Sequence, residues 1–344
     1  MGHLTEQPSG TPGEDTPTGI GVYRTASPGL AAIQAYESFL GLPEGATVNH
    51  VLAFMTDMSD KSATWAAFEG AMLQASTNAA AGTHSAIEWA PLLGGRNLIL
   101  AVPACCGGTT WADEAAGAND MHWAKLANTL VAGGLGGCTL RIAREFSGGW
   151  YPWSVTPATA AAHKTGWARI VTTMKAAGFT GRFMWNPYLG QGTFAPGGYP
   201  SDAYPGSAYV NVIGLDFYDW GYPAQPDTEA RTTAQQQAAW NVIRDQLAGL
   251  TGWQSFATRG DISRPLAYPE WGLQIWGSGA TYAGGGDNPV LISEMAAWIK
   301  FTRPWMHALW EDAGVGVSDP DDDPDRIIAV PKARAAFLDA FGYG

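Results

Sequence analysis

Asn97-Leu98-Ile99-Leu100-Ala101-Val102 is the stretch on which the fold turns. After the leading Asn every residue is apolar. With no polar alternation, such a strand is covered on both faces, as in a parallel sheet flanked by helices. Working outward, similar short apolar runs stand at Gly19–Tyr23, Thr47–Met55, Cys138–Ile142, Arg182–Trp185, Val210–Phe217, Pro265–Tyr268 and Met306–Trp310. Longer segments of helical character lie between them, at Pro28–Leu40, Ala63–Gln74, His122–Ala132, Ala158–Ala177, Ala234–Leu247, Pro289–Phe301 and Ala333–Phe341. In the fourth of these, Trp167, Ile170 and Met174 recur at three- and four-residue steps. Eight strands, each followed by helical material, predict an α/β fold of the (β/α)8 barrel type. No Gly/Ser- or Pro-rich linker divides the interior, so residues 19–344 read as one domain behind a Pro-, Gly- and Thr-rich leader at 1–18.

Composition narrows the function. Charged residues make up 15% of the 344, against 46% apolar, which excludes disorder for the whole. The net charge of −12, with no basic cluster, argues against nucleic acid or an anionic membrane surface as partner. No apolar run reaches the 18 residues of a membrane span, and the first residues lack the basic and apolar regions of a signal peptide. Action outside a cell would then rest on a signal trimmed from this sequence or on another route, such as delivery on a phage particle. The oligomeric expectation is a monomer or weak oligomer. Three Cys cannot form a disulfide framework, and buried thiols are expected, with a bridge from Cys138 to Cys105 or Cys106 as the alternative. Sixteen Trp exceed what one core easily uses, since each buried indole N–H needs a partner. Rings lining a groove beside polar groups suit a carbohydrate, whose C–H faces stack while its hydroxyls hydrogen-bond.

Surplus length lies in segments that follow strands, at Cys105–Asp120, Phe146–Pro157, Pro187–Tyr209, Trp220–Thr232 and Gly272–Asn288. In a barrel these βα loops crowd the C-terminal face, where chemistry resides. Glycoside hydrolysis needs two rigid carboxyl groups flanking one bond. Glu145 follows the fourth strand and precedes Phe-Ser-Gly-Gly-Trp150-Tyr-Pro-Trp153, and Glu270 follows the seventh within Pro269-Glu-Trp271-Gly272. Asp216, Asp219 and Glu311 are rival carboxylates at the ends of strands six and eight, and Arg141 is placed to support a carboxylate from inside strand four. Asn186, Tyr23, His50 and Asp216 are further rim candidates for contact with a substrate. The Asp321–Asp325 run reads as a solvated turn, and neither metal nor cofactor is implied.

The segment Arg144–Trp153 resembles the acid/base motif of glycoside hydrolase family 26, the β-mannanase family of clan A. Phe183–Pro187, Tyr204–Tyr218 and Pro269–Gly272 resemble further motifs of that family in the same order, so that the likeness spans residues 19–312. The resemblance implies a retaining endo-hydrolase of a β-linked polysaccharide, with Glu145 as general acid/base, Glu270 as nucleophile and Tyr218 orienting Glu270. It also implies that Trp150 and Trp153 shape sugar subsites and that Trp310 is a platform, while Trp185 and Trp271 stand inside matching motifs as substrate contacts. One position departs: the family carries His before the acid/base Glu, and here it is Arg144. A permanently charged, forked guanidinium cannot imitate a neutral imidazole. It can bind adjacent hydroxyls, hold a carboxylate, or depress the pKa of Glu145. A furanose polymer of an actinobacterial-type wall, galactan or arabinan, is therefore an alternative substrate. A non-catalytic carbohydrate-binding barrel is the alternative from another class.

Overall fold

The computed structural model describes residues 19–24, 30–43, 46–55, 64–73, 86–219, 231–273, 284–311 and 330–342. The leader at 1–18 and the Asp321–Asp325 run lie outside them. Eight parallel strands close into a barrel in sequence order, the first pairing with the last. They are β1 (Gly19–Arg24), β2 (His50–Phe54), β3 (Asn97–Val102), β4 (Thr139–Ile142), β5 (Arg182–Trp185), β6 (Val212–Tyr218), β7 (Leu266–Gly272) and β8 (Met306–Glu311). The α-helices around them are α1 (Leu30–Phe39), α2 (Trp65–Leu73), α3 (Trp111–Ala116), α4 (Asp120–Ala132), α5 (Ala160–Ala176), α6 (Thr233–Asp245), α7 (Leu250–Thr258), α8 (Pro289–Thr302) and α9 (Pro331–Phe341).

Strand parity divides the core in two. Leu52, Ile99, Met184, Val212, Ala267, Met306 and Ala308 fill the barrel interior. Leu140, Ile142, Phe183, Trp185, Ile213, Leu215, Phe217, Tyr268 and Trp271 belong to the larger layer between sheet and helices. Successive side chains on a strand face opposite ways, so this partition fixes what each strand end presents to the barrel mouth.

Three features differ from the sequence expectation. The segment 105–120 holds α3, opened by a reciprocal Thr110/Asp113 capping box and closed at Gly117 in the left-handed region. Helix α7 occupies part of what reads as a connection after α6. Strand β7 runs to Gly272, so Glu270 lies inside it. Its ladder to β8 shifts register between Tyr268 and Trp271, around Pro269, which lacks the N–H that a regular ladder needs. The three Cys are buried and free, so the bridge is absent.

Candidate active site

The site grows from the floor of the mouth. Arg141 lies between the outward Leu140 and Ile142 of β4 and points into the barrel, 1% exposed. Its Nη1 donates to Glu270 Oε1 at 2.5 Å, its Nη2 to Asp216 Oδ2 and its Nε to Asn186 Oδ1. Room for this cluster comes from Gly214 on β6: a Cβ there would stand 2.9 Å from Asn186 Oδ1 and 2.8 Å from Met184 Sδ. Burial opposes the Arg141 charge, but Asp216 and Glu270 outweigh it and hold its pKa above the ordinary guanidinium value. Burial pushes the Asp216 carboxyl upward, and the Arg141 guanidinium opposes that shift.

Above this floor the chain leaves β4 through a strained turn. Ala143 has φ 49° and Glu145 φ 52°, left-handed values that cost a non-glycine residue about 1–3 kcal/mol. The turn is over-determined by hydrogen bonds from Ala143 N to Val102 O, Glu145 N to Asn186 O and Gly148 N to Glu145 O, each 2.8 Å. It delivers the Glu145 side chain into the mouth, where the Trp150 indole N–H donates to Oε2 at 3.0 Å. Trp150 folds back to do this, and Gly148 permits it, because a Cβ at 148 would collide with the indole ring. Trp150 is 45% exposed and meets Tyr188 edge-on at 5.1 Å.

Opposite stands Glu270, buried, its Oε2 accepting from Tyr218 Oη at 2.8 Å. Burial and the Glu270, Glu145 and Asp216 charges hold the Tyr218 pKa well above that of a free phenol, so it remains the donor. One oxygen each of Glu145, Asp216 and Glu270 lie within 4.8 Å of one another. A trio of this spacing can hold a cation. Here Arg141 already supplies positive charge to two of its members, which leaves Glu145 as the one not bonded to it. Burial first, and then the Glu270 charge, push the Glu145 pKa up to about 7, although Arg144, Arg141 and Trp150 pull it down. The mouth thus holds one carboxyl poised to keep a proton beside another fixed by two donors.

Arg144 is clamped. Its guanidinium lies 4.5 Å from the Phe54 ring centroid and 4.7 Å from that of Tyr151, and Nη2 donates to Tyr151 Oη at 2.8 Å. Its Nε is 3.9 Å from Glu270 Oε1. Trp310, half-buried at the end of β8, meets Tyr218 edge-on at 6.4 Å and Phe54 at 5.9 Å. Glu145, Glu270, Tyr218, Arg144, Trp150 and Trp310 therefore converge.

Other candidates are placed elsewhere. Trp185 and Trp271 are fully buried on the outward faces of β5 and β7, packed against Phe146 and Trp253 and against His307 and Phe341 respectively. Strand parity turns both away from the mouth. Trp153 is buried too. It stacks on Tyr151 at 4.6 Å and donates to the Arg144 carbonyl at 2.7 Å, bracing the turn from behind. Asn186 and Asp216 are wholly buried Arg141 partners. His50 begins β2, at the opposite end of the barrel, where it packs on Trp305 at 4.7 Å, and burial lowers its pKa to about 4. Tyr23 pairs in register with Trp310, but its side chain lies outside the described residues, as does that of Glu311. Asp219 accepts from Gly285 N and Asn288 Nδ2 and ties β6 to the segment before α8. Phe54, Tyr151 and Tyr188 are wall residues that the sequence reading did not single out. The aromatic Tyr151 beside Trp150 was the visible signal.

No family model matches this sequence, and no curated protein sequence matches it. Its fold, however, resembles solved structures. A modular endo-β-1,4-mannanase from Cellulomonas fimi, described as a family 26 glycoside hydrolase, superposes with a TM-score of 0.58 at 17% identity, covering 93% of this chain and 70% of that one. The YdhT protein of Bacillus subtilis gives 0.53 at 14%, covering 95% and 84%. A family 26 β-mannanase from Bacteroides ovatus gives 0.52 at 14%, covering 95% and 88%. At these identities the likeness is one of fold: this chain has a (β/α)8 barrel similar to those of family 26 mannanases.

Proposed function

We propose that this protein is a retaining O-glycoside hydrolase that cleaves a β-linked polysaccharide, with mannan as the first substrate to test. The observation that carries the reading is the Glu145–Glu270 pair, one oxygen of each within 4.8 Å of the other, just after β4 and near the end of β7, in unlike surroundings. Carboxyl groups about 5–5.5 Å apart suit a double displacement, whereas an inverting pair stands about 6.5–9.5 Å apart to admit water. The fold shared with family 26 mannanases supports the same reading.

On this reading, ionised Glu270 attacks the anomeric carbon as protonated Glu145 gives its proton to the departing glycosidic oxygen. Glu145, now ionised, takes a proton from water as that water attacks the anomeric carbon and displaces the Glu270 carboxylate, which restores both groups. Tyr218 and Arg141 orient Glu270 by donating to its two oxygens. Trp150 fixes Oε2 of Glu145, which leaves the other oxygen to carry the proton. Trp150 and Trp310 offer ring faces and edges to flanking sugars.

The test is hydrolysis of galactomannan, glucomannan, xylan, β-glucan and mycobacterial arabinogalactan by wild type, Glu145→Gln and Glu270→Gln, with analysis of the released sugars. Defined oligosaccharides from wild type, lost in both variants, establish the pair and name the polymer. Cleavage that survives either change removes that residue from the mechanism. A polymer bound but uncut would favour a carbohydrate-binding barrel.

A further inference from the structure

Arg144 has more to do than line the mouth. Its guanidinium lies over the Phe54 and Tyr151 rings, is tied to the Tyr151 hydroxyl, and comes within 3.9 Å of Glu270 Oε1, the same oxygen that Arg141 bonds. Its side chain is only 14% exposed, so its charge is poorly screened by water. Held by these contacts, it is a fixed charge beside Glu270 rather than a free hook for a sugar.

We infer that Arg144 is a positioning residue: a locked second cation that, with Arg141, balances the charge of the Glu145, Asp216 and Glu270 trio. Two guanidinium groups face three carboxyl groups. The buried cluster is then neutral with one proton, and Glu145 is the carboxyl that neither arginine bonds. Take away the Arg144 charge and the remaining cluster binds protons more readily, so Glu145 holds its proton to higher pH. Among the described residues, the groups that face Glu145 are Arg141 and Arg144 from the β4 end, Asp216 and Tyr218 from β6, Glu270 from β7, and Trp150, Tyr151 and Tyr188 from the loops. Only the two arginines are cations, which is why removing one is felt. The catalytic meaning of this role rests on the assignment of Glu145 and Glu270 above. Its electrostatic content does not.

The experiment therefore reads protonation without a substrate. The full chain is labelled with 13C at the Glu side-chain carboxyls and titrated by NMR, the Glu145 signal being the one missing from Glu145→Gln. In Arg144→Met and Arg144→Gln the Glu145 midpoint rises by about one pH unit. In Arg144→Lys, which keeps the charge but not the planar stack, it returns to within a few tenths of a unit of wild type. Either neutral variant, shown folded by near-ultraviolet circular dichroism, suffices. An unmoved midpoint in a folded neutral variant overturns the inference. So does a Lys variant displaced as far as the Met one, since a steric role would produce that result. If the polymer panel fails while the midpoint moves, the hydrolase reading falls and the charge role stands.

Discussion

Replacing Arg141 with Met keeps the stem and deletes the charge at the one place where two carboxylates depend on it. Asp216 Oδ2 and Glu270 Oε1 would each lose a charge-assisted hydrogen bond, in surroundings where Asp216 is wholly buried and the Glu270 side chain is 5% exposed. Breaking a buried pair by removing one partner costs about 3–5 kcal/mol, because the abandoned charge has no water to turn to. Unfolding entropy is about 2.1 cal/mol/K per residue, so a chain of 344 residues loses about 0.7 kcal/mol per degree near its midpoint. The variant should therefore melt about 4–7 °C below wild type in scanning calorimetry. A double-mutant cycle with Asp216→Leu isolates the pair. In the Arg141→Met background the second change removes an orphaned charge, so it should cost about 1–3 kcal/mol less than in wild type. An Arg141→Met protein as stable as wild type, or a cycle additive within about 0.5 kcal/mol, would refute the account of Arg141 as the electrostatic floor of the site.

Glu145 is 6% exposed and keeps its proton up to about 7 rather than the ordinary 4.5. Folding stability on its account is thus complete below about pH 4.5 and declines as pH rises through 7, and Glu145→Gln should remove a penalty of about 3 kcal/mol at pH 8 while changing little at pH 4, read as paired melting curves. For the same reason hydrolysis should fall with an alkaline limb near pH 7, since the first step needs the protonated acid. Trp150→Phe deletes the N–H that favours the ionised carboxylate, and should move that limb upward by a few tenths of a unit; a downward shift in the pH–rate profile would contradict the assignment. Trp185→Ala opens a cavity in the outer layer and should cost about 3–5 kcal/mol in chemical denaturation without moving the Glu145 titration, whereas a changed titration would place Trp185 in the mouth after all.

The barrel was legible because its signal is repetitive: each strand is a short apolar run, and β3 and β5 fall on the predicted residues. Helix α3 was missed: its one sign, Thr110 and Asp113 three residues apart, is slight, and a Gly-flanked stretch of six helical residues carries no periodicity. Helix α7 begins without a side-chain cap and gives no such clue. Within the site, Glu145 and Glu270 could be read as strand-end acids, yet which aromatic faces the mouth could not be read from residue type. Trp150 and Trp153 are three apart in one loop, and only the collapse of Trp150 over Gly148 separates a mouth ring from a brace. Trp271 directly follows Glu270, and in a strand that adjacency itself sends the two to opposite sides. Strand parity, applied to Trp185 and Trp271, would have removed both from the groove.

The Arg at position 144 can be understood by following charge through the proposed cycle. In that cycle, before reaction, Arg141 and Arg144 face Glu270 as the attacking anion and Asp216 as the ion-pair partner of Arg141, with the proton on Glu145. After the first step that proton has left with the alcohol and the Glu270 charge has gone into the glycosyl bond, so the same two cations face Asp216 and Glu145. The sum is zero at both stages, although the anion has moved from one wall of the mouth to the other. A neutral imidazole at 144 would leave this trio with one uncompensated negative charge throughout. Buried uncompensated charge is what low-dielectric sites tolerate least. The departure from the resembled motif is then coherent with the rest of the cluster: Asp216, bound to Arg141 on the floor, adds the carboxylate that a second arginine balances. It follows that Arg144→His alone should impair the site, and that Arg144→His combined with Asp216→Asn, which removes one charge of each sign, should recover part of the wild-type pH profile. A double variant with the profile of Arg144→His would show that position 144 acts through shape and not through charge.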